Sequence, residues 1–178
     1  AARSLSMLFS LGTILYIYIS GKKLFTHPVG LLAALLLATA PLHVYYSQEA
    51  RMYMPLTLLA MIVAYFVMRR NFLGLTLSSA ALLYTDYLPV FLLGSFVVYF
   101  LIYDRKYLKN VVVWIGTTFL FFTPWISTFL NQLKIGSGIK ENAPLWWEIL
   151  GRTNLKELAL VPVKFMIGRI SSYDKIFY

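Results

Sequence analysis

Cysteine is absent from these 178 residues, which excludes disulfides and thiolate metal sites together. Charge is scarce as well: 13% of the residues are Asp, Glu, Lys or Arg, against roughly a quarter in soluble domains. The two histidines, His27 and His43, have no metal-ligand spacing. No glycine-rich strand-to-helix turn of the kind that cradles nucleotide phosphates occurs, and there is no internal repeat or low-complexity tract. What remains is apolar. Hydrophobic residues make up 60% of the chain and its mean hydropathy is +0.71, the composition of a polytopic membrane protein. The net charge of +9 comes from Lys and Arg scattered between apolar runs. They form no basic face, so nucleic acid is not expected as a partner and membrane topology accounts for the charge. The chain opens on Ala1-Ala2-Arg3 with neither an initiator Met nor a signal-peptide pattern, and reads as an internal piece of a longer protein.

A helix needs about 20 residues to cross the hydrocarbon core. Residues 4–20, 29–46, 52–68 and 111–130 meet that length. Residues 72–84 and 88–103 are shorter, joined by Thr85-Asp86-Tyr87, and read as two tilted spans or as a hairpin with a recessed tip. The expected fold class is therefore all-α, a polytopic transmembrane helical bundle with four to six membrane helices. Residues 1–131 form the transmembrane region, 132–156 an extracytoplasmic loop and 157–178 an amphipathic or membrane-proximal segment. Gly136-Ser137-Gly138 reads as a flexible turn, and Trp146-Trp147 as an interfacial anchor. Gly30, Ala34 and Ala38 make a small-residue stripe for helix packing, and Pro41 and Pro55 sit where helices bend or end.

Lys22-Lys23, Arg69-Arg70 and Arg105-Lys106 with Lys109 fall in alternate loops, which the positive-inside rule makes cytoplasmic. Ser47 to Arg51 and the Asp86 turn then face outside. The run Tyr45-Tyr46-Ser47-Gln48-Glu49-Ala50-Arg51-Met52-Tyr53 places an acid and a base between two apolar segments, where charge is tolerated when hydrated, paired or bound to a charged ligand. Transfer of a group from a phosphate-linked donor needs a cation for the leaving phosphate, which Arg suits. It also needs a carboxylate to orient that cation, hold a metal or polarise the acceptor. The plainer reading is a helix-end ion pair within an aromatic interface belt. Glu49 and Tyr53 share a face if the second helix starts early. Arg3, a cation at the unfavourable end of a helix dipole, calls for an acidic or phosphate partner. Asp86 reads as a site residue or as a solvated turn, and His43 as a hydrogen-bonded interface residue.

Arg3-Ser4-Leu5-Ser6, Gly21-Lys22-Lys23-Leu24-Phe25, Gly30 to Leu37, Pro41-Leu42-His43, the Tyr46 to Tyr53 run, Leu83-Tyr84-Thr85-Asp86-Tyr87 and Pro124-Trp125 together resemble the GT-C glycosyltransferases. More narrowly they resemble glycosyltransferase family 39, the protein mannosyltransferase and aminoarabinose-transferase group, over about residues 1–133. The resemblance implies an integral membrane enzyme of the plasma membrane or endoplasmic reticulum with its active site on the extracytoplasmic side. It would transfer a sugar, with inversion, from a polyprenyl-phosphate carrier to a protein, lipid or glycan acceptor. Arg51 would stabilise the donor phosphate and Glu49 would orient Arg51 or bind a divalent metal. Arg3, Gln48, Tyr53 and Asp86 would contact substrate. The family's catalytic base lies in a loop upstream of Ala1, and relatives often carry His in place of Asp86. The competing functions are a transporter or flippase of a lipid-linked anion, for which paired broken helices in two repeats are missing, and a membrane scaffold, which has no need of the Gln48-Glu49-Arg51 cluster.

Overall fold

A computed structural model describes residues 2–142, which fall into two compact units. The first comprises residues 2–39 and 43–124, and the second residues 40–42 and 125–142. The expected Trp146-Trp147 anchor, the remainder of the 132–156 loop and the 157–178 segment lie outside the described residues.

Every regular element among the described residues is helical, as the composition requires, because a helix satisfies its backbone polar groups within itself and hydrocarbon offers no alternative partners. The order is α1 (Ala2–Leu24), α2 (His27–Thr39), α3 (Pro41–Ser47), α4 (Tyr53–Arg69), α5 (Phe72–Thr85), α6 (Val90–Tyr103), α7 (Leu108–Phe122) and α8 (Ile126–Asn142). The protein is an all-α membrane bundle. Arg3–Leu24 and the helical run Arg105–Gly136 are long and apolar enough to cross a membrane. The second of the expected spans, residues 29–46, is bent by 64° between α2 and α3. Pro41 is the first residue after that break; with no N–H to donate and a ring that crowds the preceding turn, it is tolerated at a helix start and not in its interior. The remaining helices, α4 to α6, are 17, 14 and 14 residues long, so the span expected at residues 52–68 is a short one.

The second unit carries α8, which runs through Gly136, Ser137 and Gly138 to Asn142. The flexible turn expected there is helical. Glycine costs only about 1 kcal/mol relative to alanine inside a helix, too little to end one without a proline or a capping motif.

Within the first unit the helices alternate in direction. At the α1–α2 turn a Cβ on Gly30 would lie 2.6 Å from the Tyr18 carbonyl oxygen and one on Gly21 2.7 Å from the Gly30 Cα, so only glycine permits this approach. Ala34 is half-buried, but Ala38 is exposed, and the small-residue stripe ends before it. α1 and α4 run parallel: a Cβ on Gly12 would meet Leu58 at 3.6 Å, and the Tyr16 and Tyr65 rings meet edge-on at 5.9 Å. α5 folds back on α4 through a tight turn in which Arg70 takes a left-handed conformation, φ 55°. The Asn71 side chain then caps α5 by accepting from the Gly74 N–H at 3.0 Å, an N-cap bond of the usual kind. Trp114 donates through Nε1 to Ser79 Oγ at 3.1 Å and Tyr84 to the Phe121 carbonyl at 2.8 Å, which fixes α7 parallel to α5. Val63, Val67, Leu75, Leu82, Leu93, Phe100, Val111 and Trp114 form the core between α4, α5, α6 and α7.

These pairings sort the polar segments. Arg3, the Ser47–Met52 loop and the Asp86 turn lie at one end of the helices. Lys22-Lys23, Arg69-Arg70 and the Asp104–Lys109 segment lie at the other.

Candidate functional site

α3 stops at Ser47 and α4 starts at Tyr53, with an irregular turn between them. The Gln48 N–H bonds the Tyr45 carbonyl at 3.2 Å and the Arg51 N–H bonds the Glu49 carbonyl at 2.9 Å, so the backbone coils tightly around Glu49. Because α4 does not begin early, Glu49 and Tyr53 do not share a helical face. They meet through Arg51 instead. Its Nε lies 3.3 Å from Glu49 Oε1, and its Nη1 donates to Tyr53 Oη at 3.3 Å. The hydrogen bond to Tyr53 comes first, and the Glu49 charge second, in raising the guanidinium pKa above its already high ordinary value; Arg51 is a permanent cation. The Arg51 side chain is 63% exposed and that of Glu49 27%, so the pair holds the cation in place while leaving it open to solvent. The bond to Tyr53 occupies one of the guanidinium's five N–H donors and Glu49 faces its Nε, which leaves donors for an anion.

Tyr46 packs on Tyr53 at 4.6 Å between ring centroids and Tyr45 meets Tyr46 edge-on at 5.3 Å. Three tyrosines thus flank the Glu49–Arg51 pair, and Gln48 is exposed beside them.

The other expected site residues are not drawn into this cluster. Arg3 is exposed in the first turn of α1. The parallel register of α1 and α4 carries it to the level of the Glu49 turn, but no hydrogen bond or ion pair joins it to Glu49 among the described residues. Asp86 closes the α5–α6 turn by accepting the Leu88 N–H at 3.0 Å; this local bond is what short acidic side chains make in turns. Glu49 and Asp86 share an end of the bundle and no contact is recorded between them. A metal held by Glu49 does not fit the described residues: no group of three or more His, Cys, Asp or Glu side chains converges among them, and the Glu49 carboxylate already faces a cation.

Two polar contacts were not legible in sequence. His43 is buried, and its Nε2 lies 2.8 Å from Ser10 Oγ. This joins α3 to α1 immediately before the Glu49 turn. Ser6, Ser10 and Thr13 on α1 are all buried, a spacing of about one helical turn that marks a packed face. At the opposite end Arg70 pairs with Asp104 and donates to Tyr99 Oη at 2.8 Å. Its guanidinium carbon also lies 5.3 and 5.2 Å from the Tyr99 and Phe100 ring centroids. These contacts offset the roughly 1–2 kcal/mol that a left-handed backbone costs a residue with a side chain. The available signal was that Asp104 is the lone acid in the basic loops.

The comparison with known proteins bears on the whole of this arrangement. The family model described as dolichyl-phosphate-mannose-protein mannosyltransferase matches residues 1–128. The chain belongs to that family. No curated protein and no solved structure matches it. The mannosyltransferase match covers α1 to α7 together with both polar ends, and it indicates a glycosyltransferase embedded in a membrane. Among the described residues of this family member, Glu49, Arg51 and Tyr53 are the expected site residues that touch one another.

Proposed function

We propose that this chain forms part of a membrane glycosyltransferase that moves a mannose-type sugar, with inversion, from a polyprenyl-phosphate carrier to an acceptor on the extracytoplasmic face. The single observation that carries the reading is Arg51, fixed by Glu49 and Tyr53 yet mostly exposed at a helix end. In the reaction an acceptor hydroxyl attacks the anomeric carbon and the carbon–oxygen bond to the phosphate breaks. The polyprenyl phosphate leaves with the bonding electrons, and the hydroxyl proton passes to a carboxylate base. By the family resemblance that base is an acid of the family's first external loop. Arg51 stabilises the negative charge that builds on the departing phosphate, an interaction stronger in the transition state than in the ground state. Glu49 holds the guanidinium fork in one orientation. Tyr46 and Tyr53 offer aromatic faces for the sugar, and Gln48, Arg3 and Asp86 border the same end, where they contact donor or acceptor.

The carrier's isoprenoid suits a bundle whose outer faces are apolar, such as Leu31, Leu32, Leu35 and Leu36 on α2, each buried CH₂ contributing about 0.8 kcal/mol towards its retention. Purified full-length protein supplied with acceptor should transfer sugar from a polyprenyl-phosphate mannose and not from the matching nucleotide sugar. Transfer from the nucleotide sugar in a system free of carrier lipid would overturn the assignment. Movement of the intact lipid-linked sugar across the bilayer without cleavage would favour a flippase.

The sidedness has its own test. Single cysteines at Ser47 and Thr85 should react with a membrane-impermeant thiol reagent from the extracytoplasmic side, and those at Lys23 and Arg70 from the cytoplasmic side, following the alternation of basic loops. Reaction of the Ser47 and Lys23 positions from one face would end the topology.

A further inference from the structure

Between α4 and α6 lies a groove of about 420 Å³ bordered by Ala64, Met68, Ser95 and Phe96, with Tyr99 and Arg70 at its end. α4 packs closely on α1 and α5, whereas α6 reaches the core through large side chains such as Leu93 and Phe100. The backbones of α4 and α6 stand apart and the groove is what separates them. Its wall is apolar except at Arg70, Tyr99 and Ser95, and the Ser95 hydroxyl is occupied by the Leu92 carbonyl at 2.7 Å.

The groove ends among basic residues. Arg69, Arg105, Lys106 and Lys109 are exposed at that end of the helices, and its acid, Asp104, is taken up by Arg70. The mouth is therefore positive while the length is apolar. An occupant must carry a negative group at one end and need no hydrogen-bond partner along the rest.

We propose that this groove seats one acyl chain of an anionic glycerophospholipid from the leaflet bordering the basic end, with the lipid phosphate at the mouth beside Arg70 and Tyr99 and the charges of Arg69 and Arg105 around it. A lipid chain fits the observed polarity because it asks nothing of the wall beyond contact, and basic clusters at helix ends attract anionic headgroups. The sugar carrier proposed above places its phosphate at the opposite end, beside Arg51. The two sites are separate, and this inference stands whether or not the transfer reading holds.

The test is native mass spectrometry of full-length protein purified from detergent supplemented with either phosphatidylglycerol or phosphatidylcholine. The wild-type protein should retain phosphatidylglycerol in preference to phosphatidylcholine. Ser95→Trp projects a ring into the groove from an exposed position outside the core and should abolish that retention, with thermal stability in lipid-free detergent unchanged. Arg69→Gln and Arg105→Gln should each reduce the preference for phosphatidylglycerol by about fivefold while leaving the groove open. Equal retention of the two lipids by the wild type, or undiminished phosphatidylglycerol on the Ser95→Trp protein, would overturn the proposal, the second because the retained lipid would then lie outside the groove.

Discussion

Full-length protein carrying Arg51→Ala should lose transfer by about 10²–10³ in turnover, the scale set by removing one preorganised charge stabiliser from a developing anion. The same substitution should barely alter folding. An exposed ion pair contributes little to stability, and Arg51 is 63% exposed with two contacts at 3.3 Å. Stability and chemistry are thus separable at this position. Glu49→Ala leaves the cation present but free to swing, so its loss should be smaller than that of Arg51→Ala and should appear in kcat more than in KM. Arg51→Lys keeps the charge and loses the fork, and should recover part of the rate. Initial rates with polyprenyl-phosphate mannose, read beside thermal melts in detergent, decide the matter. Wild-type turnover in both alanine variants would reduce Glu49–Arg51 to a helix-end ion pair.

The largest loss of stability is expected at Gly30. Even one carbon added there meets backbone, the Tyr18 carbonyl oxygen at 2.6 Å and the Lys22 nitrogen at 2.7 Å. No rotamer relieves a clash with main chain, so α1 and α2 must part. Gly30→Ala should cost about 1–3 kcal/mol, the usual range for overpacking, and Gly30→Leu more. Gly94→Ala is the matched control: nothing lies within 4 Å of its Cβ, and alanine there gains the helix preference that glycine lacks. Detergent melting curves should show Gly30→Leu unfolding well below wild type and Gly94→Ala at or above it. If Gly30→Leu melts with the wild type, α1 and α2 do not pack as described.

His43 illustrates a reading that sequence left open. Its place after Pro41 suggested a hydrogen-bonded interface residue without naming the partner. Ser10 supplies it from 33 residues away, a separation at which neither periodicity nor propensity operates. Arg69 and Arg70 show the same limit differently. As adjacent basic residues they looked equivalent, yet Arg69 ends α4 exposed while Arg70 takes the left-handed cap and turns inward to Asp104 and the aromatic rings.

By itself the sequence determined that the chain is helical and belongs in a membrane, because long apolar runs leave backbone polar groups no partners but their own. The positions of its basic loops also settled which segments alternate between the two ends, and Gln48-Glu49-Ala50-Arg51-Met52-Tyr53 marked the polar cluster. Tertiary structure decided the rest. It bent the second apolar run at Pro41 and extended α8 through two glycines. It joined Glu49, Arg51 and Tyr53 through a guanidinium rather than along a helical face, and left Asp86 to its own turn. Those outcomes depend on where α4 begins and on which helices approach closely enough for glycine to be required. Such choices arise from side-chain packing between segments far apart in the chain, which hydrophobic pattern constrains only as a face and never as a partner.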